Sequence, residues 1–140
     1  KYPNTEVECK SMIDRIIIDH ENKKVTLVDL KTSSHLAEFK EKFFEYKYYR
    51  QMAFYWMAIY WHFKNVLIDK NFDDYTKETF IVVIGTKDPI EVKVFEVTEP
   101  TLNIGILEID PLIRQLDWHF KENKWDYTKE YYEGKTTEKI

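Results

Sequence analysis

One cysteine, Cys9, is present in 140 residues. An internal disulfide and a cysteine-held iron–sulfur cluster are therefore excluded, and a reducing compartment fits best. Four histidines (His20, His35, His62, His119) show no zinc-ligand spacing. No apolar run nears the roughly 20 residues that a membrane helix needs, so no membrane partner is expected. There is no excess of positive charge either: the formal net charge is −4 and the sequence pI is about 5.6. A nucleic-acid partner would need a local site rather than a basic surface. Internal repeats, low-complexity tracts and linkers are absent. The chain opens at Lys1 with no initiator Met and no signal-like segment, which reads as an N-terminally truncated fragment.

What is present suits one domain over residues 1–140, with 44% hydrophobic and 33% charged residues. Alternation at Glu6–Lys10 predicts a first short strand. Isoleucine-rich Met12–Ile18 predicts a second, Asp19–Lys24 a turn, and Val25–Leu30 a third strand. Thr32, Ser33 and Ser34 break the strand pattern, and a loop or mixed stretch runs to about Glu45. Tyr48–Asn65 holds no Gly or Pro and is apolar around nearly its whole circumference, which predicts a central helix. Two strands follow, Thr79–Thr86 and Ile90–Val97, joined around Asp88-Pro89. Leu102, Ile106, Ile109, Ile113, Leu116 and Phe120 form one helical seam starting near Pro100, which Pro111 should kink or split. The tail from about Asn123 should be loosely held. The order β-β-β-α-β-β-α predicts an α/β or α+β fold with a central sheet flanked by helices.

Two aspartates sit where charge is expensive. A tight turn at Glu21-Asn22 would set Asp14 directly opposite Asp29, with their Cβ atoms about 5 Å apart on one face. Lys31, two residues beyond Asp29, shares that face, and the Leu30 carbonyl is close by. Neighbouring carboxylates ionise readily only with a cation between them. Two carboxylates plus a carbonyl make a hard oxygen site suited to Mg²⁺ or Mn²⁺. Such an ion polarises phosphoryl oxygens, and Lys31 could orient water or offset developing charge. The chemistry is hydrolysis of a phosphodiester. Acid-x-Lys triplets also occur at Glu8-Lys10, Glu38-Lys40 and Glu91-Lys93, among others, as solvated charge. Only the Asp29 triplet ends an apolar strand that follows a second carboxylate.

These residues resemble a known family. Ile13-Asp14-Arg15, then Asp29-Leu30-Lys31-Thr32, then Gln51-Met52-Ala53-Phe54-Tyr55 is similar in order to the PD-(D/E)xK nuclease superfamily, best in its RecB-like and RecE-like phage-type exonuclease branch. The resemblance implies a restriction-endonuclease-like core on a mixed sheet. It further implies a divalent-metal-dependent DNA exonuclease in phage or bacterial recombination or repair, acting in the cytoplasm. Asp14, Asp29 and the Leu30 carbonyl would hold Mg²⁺ or Mn²⁺, Lys31 would be the catalytic lysine, and Gln51 and Tyr55 would complete the site. Gln51 and Tyr55 are four apart, so a helix projects them from one face. DNA is the implied partner. A recombination protein and a homo-oligomer are further partners that the resemblance leaves open. Ser11 stands where the family has glycine, and the family's upstream helix with its histidine or glutamate is missing from this sequence. The alternative is an inactive nuclease-fold module that binds DNA or a protein.

Secondary candidates surround this set. Glu6 and Glu8 could be outer ligands or edge decoration. Lys40, Lys42, Lys47 and Arg50 could hold phosphates, although Glu38, Glu41 and Glu45 interleave with them. Tyr48, Tyr49, Trp56, Tyr60 and Trp61 could stack on bases, but their spacing favours core. Arg15 should point to the opposite face from Asp14.

Overall fold

The computed structural model describes residues 1–69, 71–135, 137 and 139. Chain contacts divide them into two compact units, one of residues 10–107 and one of residues 1–9 with 108–140.

The larger unit carries a four-stranded mixed sheet in the order β1-β2-β3-β4. β1 is Arg15–Asp19, β2 is Lys24–Ser33, β3 is Thr76–Gly85 and β4 is Val92–Glu96. The β1/β2 and β3/β4 pairs are antiparallel, and β2/β3 is parallel. The turn between β1 and β2 takes four residues rather than two, with Lys23 left-handed at φ 49°. It has the same centre as the expected turn, so the register is the expected one: Arg15 faces Val28 and Asp19 faces Lys24. A parallel β2/β3 pair needs a long crossover. Helices α1 (Phe39–Glu45) and α2 (Tyr48–Asn65) supply it.

Alternate residues of β2 and β3 bury one face of the sheet. Val25 and Leu27 from β2 meet Ile81 and Val83 from β3, all fully buried. Met52, Trp56, Ile59 and Phe63 of α2 close over them. Burying each such side chain contributes about 1.5–3 kcal/mol. Inside this apolar layer the indole N–H of Trp56 donates to Thr79 Oγ1 at 2.6 Å, so neither polar atom is stranded.

Several expectations are corrected. Residues 6–10 form no strand: Tyr2 N–H donates to the Val7 carbonyl, and Glu6 N–H to Asp117 Oδ1, so local and side-chain partners take the groups a ladder would use. β2 runs on through Thr32 and Ser33, where a break is expected, and the mixed stretch up to Glu45 resolves into a 3₁₀ turn, Leu36–Glu38, and then α1. Phe39 and Phe43, one helical turn apart, are the buried anchors of α1. The final helix α3, Glu99–Glu122, runs through Pro111 without splitting. The one ladder bond lost to proline frees the Leu107 carbonyl, and Leu107 lies on an exposed turn where water can reach it. The buried line on α3 also differs. Ile109 of the expected seam is buried and Leu102 and Ile113 are half-buried, but Gly105 and Asp117 are buried as well, while Ile106, Leu116 and Phe120 are exposed. At Gly105 a Cβ would lie 2.7 Å from both the Ala53 Cβ and the Tyr49 carbonyl oxygen. Glycine is therefore what allows the start of α3 to lie against α2.

In the smaller unit, Tyr2 Oη donates to Asp110 Oδ1 at 2.9 Å, and Asp117 pairs with Lys121. The tail contains a short helix, α4 (Lys129–Tyr132), whose Thr128 cap accepts from Tyr131 N–H. Among the described residues no helix is long and apolar enough to cross a membrane.

Candidate active site

The buried stripe of β2 runs Val25, Leu27, Asp29, Lys31. Its first half is hydrocarbon and its second half is charged. Asp29 is only 3% exposed, so its carboxylate cannot rely on bulk water for solvation.

Asp14 was expected in the middle of a strand. It sits instead at a bend just before β1. Its Oδ2 accepts from the Leu30 N–H at 2.8 Å. That bond explains the placement. Odd-numbered residues of β2 turn their backbone groups to β3, as the Lys23 and Ser33 carbonyls do when they accept from Thr76 and Thr86. Leu30 therefore faces the β1 edge, where the ladder stops at Arg15. The Asp14 carboxylate takes the N–H that no β1 residue is left to bond. An N–H and a C=O of one strand residue point to the same edge, so the Leu30 carbonyl opens on the side that Asp14 occupies. The Leu30 side chain is exposed.

Lys31 Nζ lies 2.7 Å from Asp29 Oδ2. The two form a close ion pair, and this buried oxygen has no other hydrogen-bond partner among the described residues. Lys31 also donates to Gln51 Oε1 at 2.9 Å. Gln51 Nε2 in turn donates to Tyr55 Oη at 2.9 Å. The ring of Tyr48 lies 4.6 Å from Lys31 Nζ in a cation–π arrangement. An amide held by a phenol one turn away on α2 thus fixes an ammonium on β2.

Burial pushes the Asp29 carboxyl above its usual range. Lys31 pulls it partly back, and the neighbouring Asp14 pushes it up again. Two carboxylates against one ammonium leave the cluster short of positive charge. A hard divalent cation fits this donor set on the observation of Asp29 Oδ2, a buried carboxylate oxygen with an unused lone pair beside a second carboxylate. Protein ligands alone give few acids: among the described residues no group of three or more His, Cys, Asp or Glu could hold a metal. Water, substrate oxygens and the Leu30 carbonyl would have to complete such a shell, as is usual for Mg²⁺.

Asp14, Asp29, Lys31, Gln51 and Tyr55 thus meet in one place. Of the secondary candidates, Tyr48 joins them through Lys31, while several others lie elsewhere. Lys42 pairs with Glu45 within α1, and Lys47 occupies a left-handed turn at φ 55° before α2. Tyr49 and Trp56 are core, while Tyr60 and Trp61 are exposed. Glu6 pairs with Lys1. Arg15 is exposed, and shares the sheet face of its partner Val28. The sequence alone marks Tyr48 only as a base-stacking or core ring, whereas the fold places it over Lys31. Its position three residues before Gln51 was the available signal, because that spacing also puts it on the same helix face.

A family model described as the PD-(D/E)XK nuclease superfamily matches residues 5–125 of the chain. No curated protein matches it significantly.

Proposed function

The chain belongs to the PD-(D/E)XK nuclease superfamily, and from that premise we propose that it is a divalent-metal-dependent DNA exonuclease of the RecB-like or RecE-like type. It would hydrolyse phosphodiester bonds during phage or bacterial recombination or repair, in the cytoplasm of the host cell. The observation that carries this reading is the unbroken chain of contacts Asp29–Lys31–Gln51–Tyr55, with Asp14 across from it.

Asp14, Asp29 and the Leu30 carbonyl would hold Mg²⁺ or Mn²⁺, which when bound supplies Lewis-acid polarisation of a phosphoryl oxygen and a more acidic water. The remaining work falls to the protein. Lys31 carries a fixed positive charge into a half-buried position, where low dielectric strengthens its pull on a phosphate oxygen. Gln51 holds that ammonium by its carbonyl oxygen, and Tyr55 holds Gln51 in the matching orientation. Tyr48 covers the ammonium with its ring and limits the water that could screen it. The apolar stripe of Val25 and Leu27 beside Asp29 fixes that carboxylate in the floor, and the Leu30 N–H holds the Asp14 carboxylate near it. Attack of a water oxygen on phosphorus breaks one ester bond and leaves a phosphate monoester and a hydroxyl.

The test is degradation of linear duplex DNA by the full chain with Mg²⁺ or Mn²⁺, beside Asp29→Ala. Metal-dependent loss of DNA by the parent alone is the expected result. Equal degradation by both proteins would remove Asp29 from the mechanism. No degradation by either would favour the inactive module.

A further inference from the structure

The smaller unit holds a second feature that the nuclease chemistry does not use. An open cleft of about 500 Å³ is lined by His119, Trp125, Asp126, Tyr127, Thr128 and Tyr131. Its volume is in the range of small-molecule sites. Its rings come in two parallel pairs. His119 stacks on Trp125 with centroids 5.5 Å apart, and Tyr127 on Tyr131 at 4.2 Å. Phe120 meets Trp125 edge-on, and Tyr132 meets Tyr127 and Tyr131 edge-on. Trp125, Tyr127 and Tyr131 remain 51%, 55% and 51% exposed. Aromatic surface left open beside a cavity marks a place where an apolar or planar partner can dock.

The polar lining narrows the choice of ligand. Asp126 can only accept hydrogen bonds when ionised. Thr128 Oγ1 accepts from Tyr131 N–H at 3.2 Å, which fixes the hydroxyl while leaving its proton free to donate. An acceptor and a donor next to open π faces match the edge of a nucleobase, with its amino or imino N–H and ring acceptors. The nearby lysines are engaged internally. Lys121 pairs with Asp117 and Lys129 with Glu133, while Lys124 lies over the Tyr132 ring. They are poorly placed to track a phosphate backbone. A proline-rich segment also docks on aromatic grooves, but proline has no N–H to offer Asp126.

We infer that this cleft binds a nucleobase of single-stranded DNA, an inference that rests on DNA being the substrate. Base stacking carries the affinity, and salt dependence is weak compared with phosphate-tracking sites. The experiment uses the full chain as Asp29→Asn in EDTA, so that no cleavage interferes, and measures affinity by isothermal titration calorimetry, with tryptophan fluorescence as a second readout for variants that keep Trp125. Four probes are titrated: a mixed-sequence 12-nucleotide strand, an abasic strand of equal length, 2′-deoxynucleoside monophosphates, and a proline-rich peptide. The base-bearing strand should quench fluorescence and bind about tenfold or more tighter than the abasic strand. Trp125→Ala and Tyr131→Leu should each lose about tenfold with unchanged circular dichroism, and Trp125→Phe should restore binding. Equal affinity for the strand and for mononucleotides keeps the base site and makes free product its source. Equal binding of the abasic strand, unchanged affinity in the folded variants, or preference for the peptide would overturn the inference. Because no arm depends on cleavage, a failed nuclease assay and a failed base titration are separate results.

Discussion

Lys31 Nζ and Gln51 Oε1 are 2.9 Å apart, which makes one hydrogen bond the bridge between the charged end of β2 and the first turn of α2. The bond orients a cation without neutralising it, because the amide oxygen carries no net charge. Lys31→Ala should therefore lower kcat by about 10²–10³-fold, the scale of losing one charge-stabilising donor. Metal affinity measured by calorimetry should be retained. Loss of metal binding together with activity would instead make Lys31 a structural prop for Asp29.

Gln51→Ala should act through Lys31, and Tyr55→Phe should act more weakly still, since it deletes only the hydroxyl that accepts from Gln51 Nε2. About tenfold in kcat for the first and a few-fold for the second are expected, each being the value of one positioning hydrogen bond of about 1 kcal/mol. KM for DNA should move little. Measuring kcat and KM separately checks this, and a rise in KM alone would make both residues substrate contacts.

Asp29 supplies a pH prediction. Its folded carboxyl titrates above its usual 3.8, first because it is buried. A carboxyl with a raised folded pKa binds its proton more tightly folded than unfolded, so it disfavours the fold once ionised. The penalty is absent below the unfolded value near 3.8, grows as pH rises from there through the folded value, and is complete above it. Asp29→Asn should thus be more stable than the parent at pH 7, by about 1 kcal/mol, while losing activity. Thermal melts in EDTA from pH 3 to 8 should converge at the acid end. A parent that melts higher than Asp29→Asn at pH 7 would show that the Lys31 ion pair outweighs burial.

Gly105 tests the packing of α3 on α2. An added Cβ would meet the Ala53 Cβ and the Tyr49 carbonyl oxygen at 2.7 Å, and the second of these is backbone that cannot rotate away. Gly105→Ala should destabilise by about 1–3 kcal/mol despite the better helix propensity of alanine. Urea denaturation of the two proteins measures it. A more stable alanine variant would mean that the helices separate at little cost.

Trp56 and Thr79 share a hydrogen bond in the core. Trp56→Phe strands the buried Thr79 hydroxyl, with an expected loss of about 1–3 kcal/mol. Thr79→Val in that background should recover part of it, since both polar atoms are then gone. Chemical denaturation of the double-mutant cycle separates this from simple loss of volume.

Much of the site could be read along the chain. A period-two strand that turns from Val25 and Leu27 to Asp29 and Lys31 declares where the core meets charge. Four-residue spacing fixes Gln51 and Tyr55 to one side of a helix. The β1/β2 register is the one that a turn centred on Glu21-Asn22 would give, although the turn itself is longer. Other elements were hidden because their signal depends on distant partners. Residues 6–10 alternate like a strand, but Asp117, more than 100 residues on, takes the Glu6 N–H. Phe39 and Phe43 lie in a charged stretch that masks a short helix. The seam of α3 looked continuous through Ile106 and Leu116, yet close approach to Ala53 selects the face bearing Gly105.

The order of residues by itself determined which side chains alternate, which recur every helical turn, and so which acids and amine share a face of β2 and which polar pair shares a face of α2. Only the folded chain decided that those two faces meet, that Asp14 ends a ladder instead of lying within one, and that Tyr48 covers the lysine. The reason is one of range. Periodicity is set by the local backbone, whereas contact between a strand and a helix depends on which apolar surfaces exclude water together.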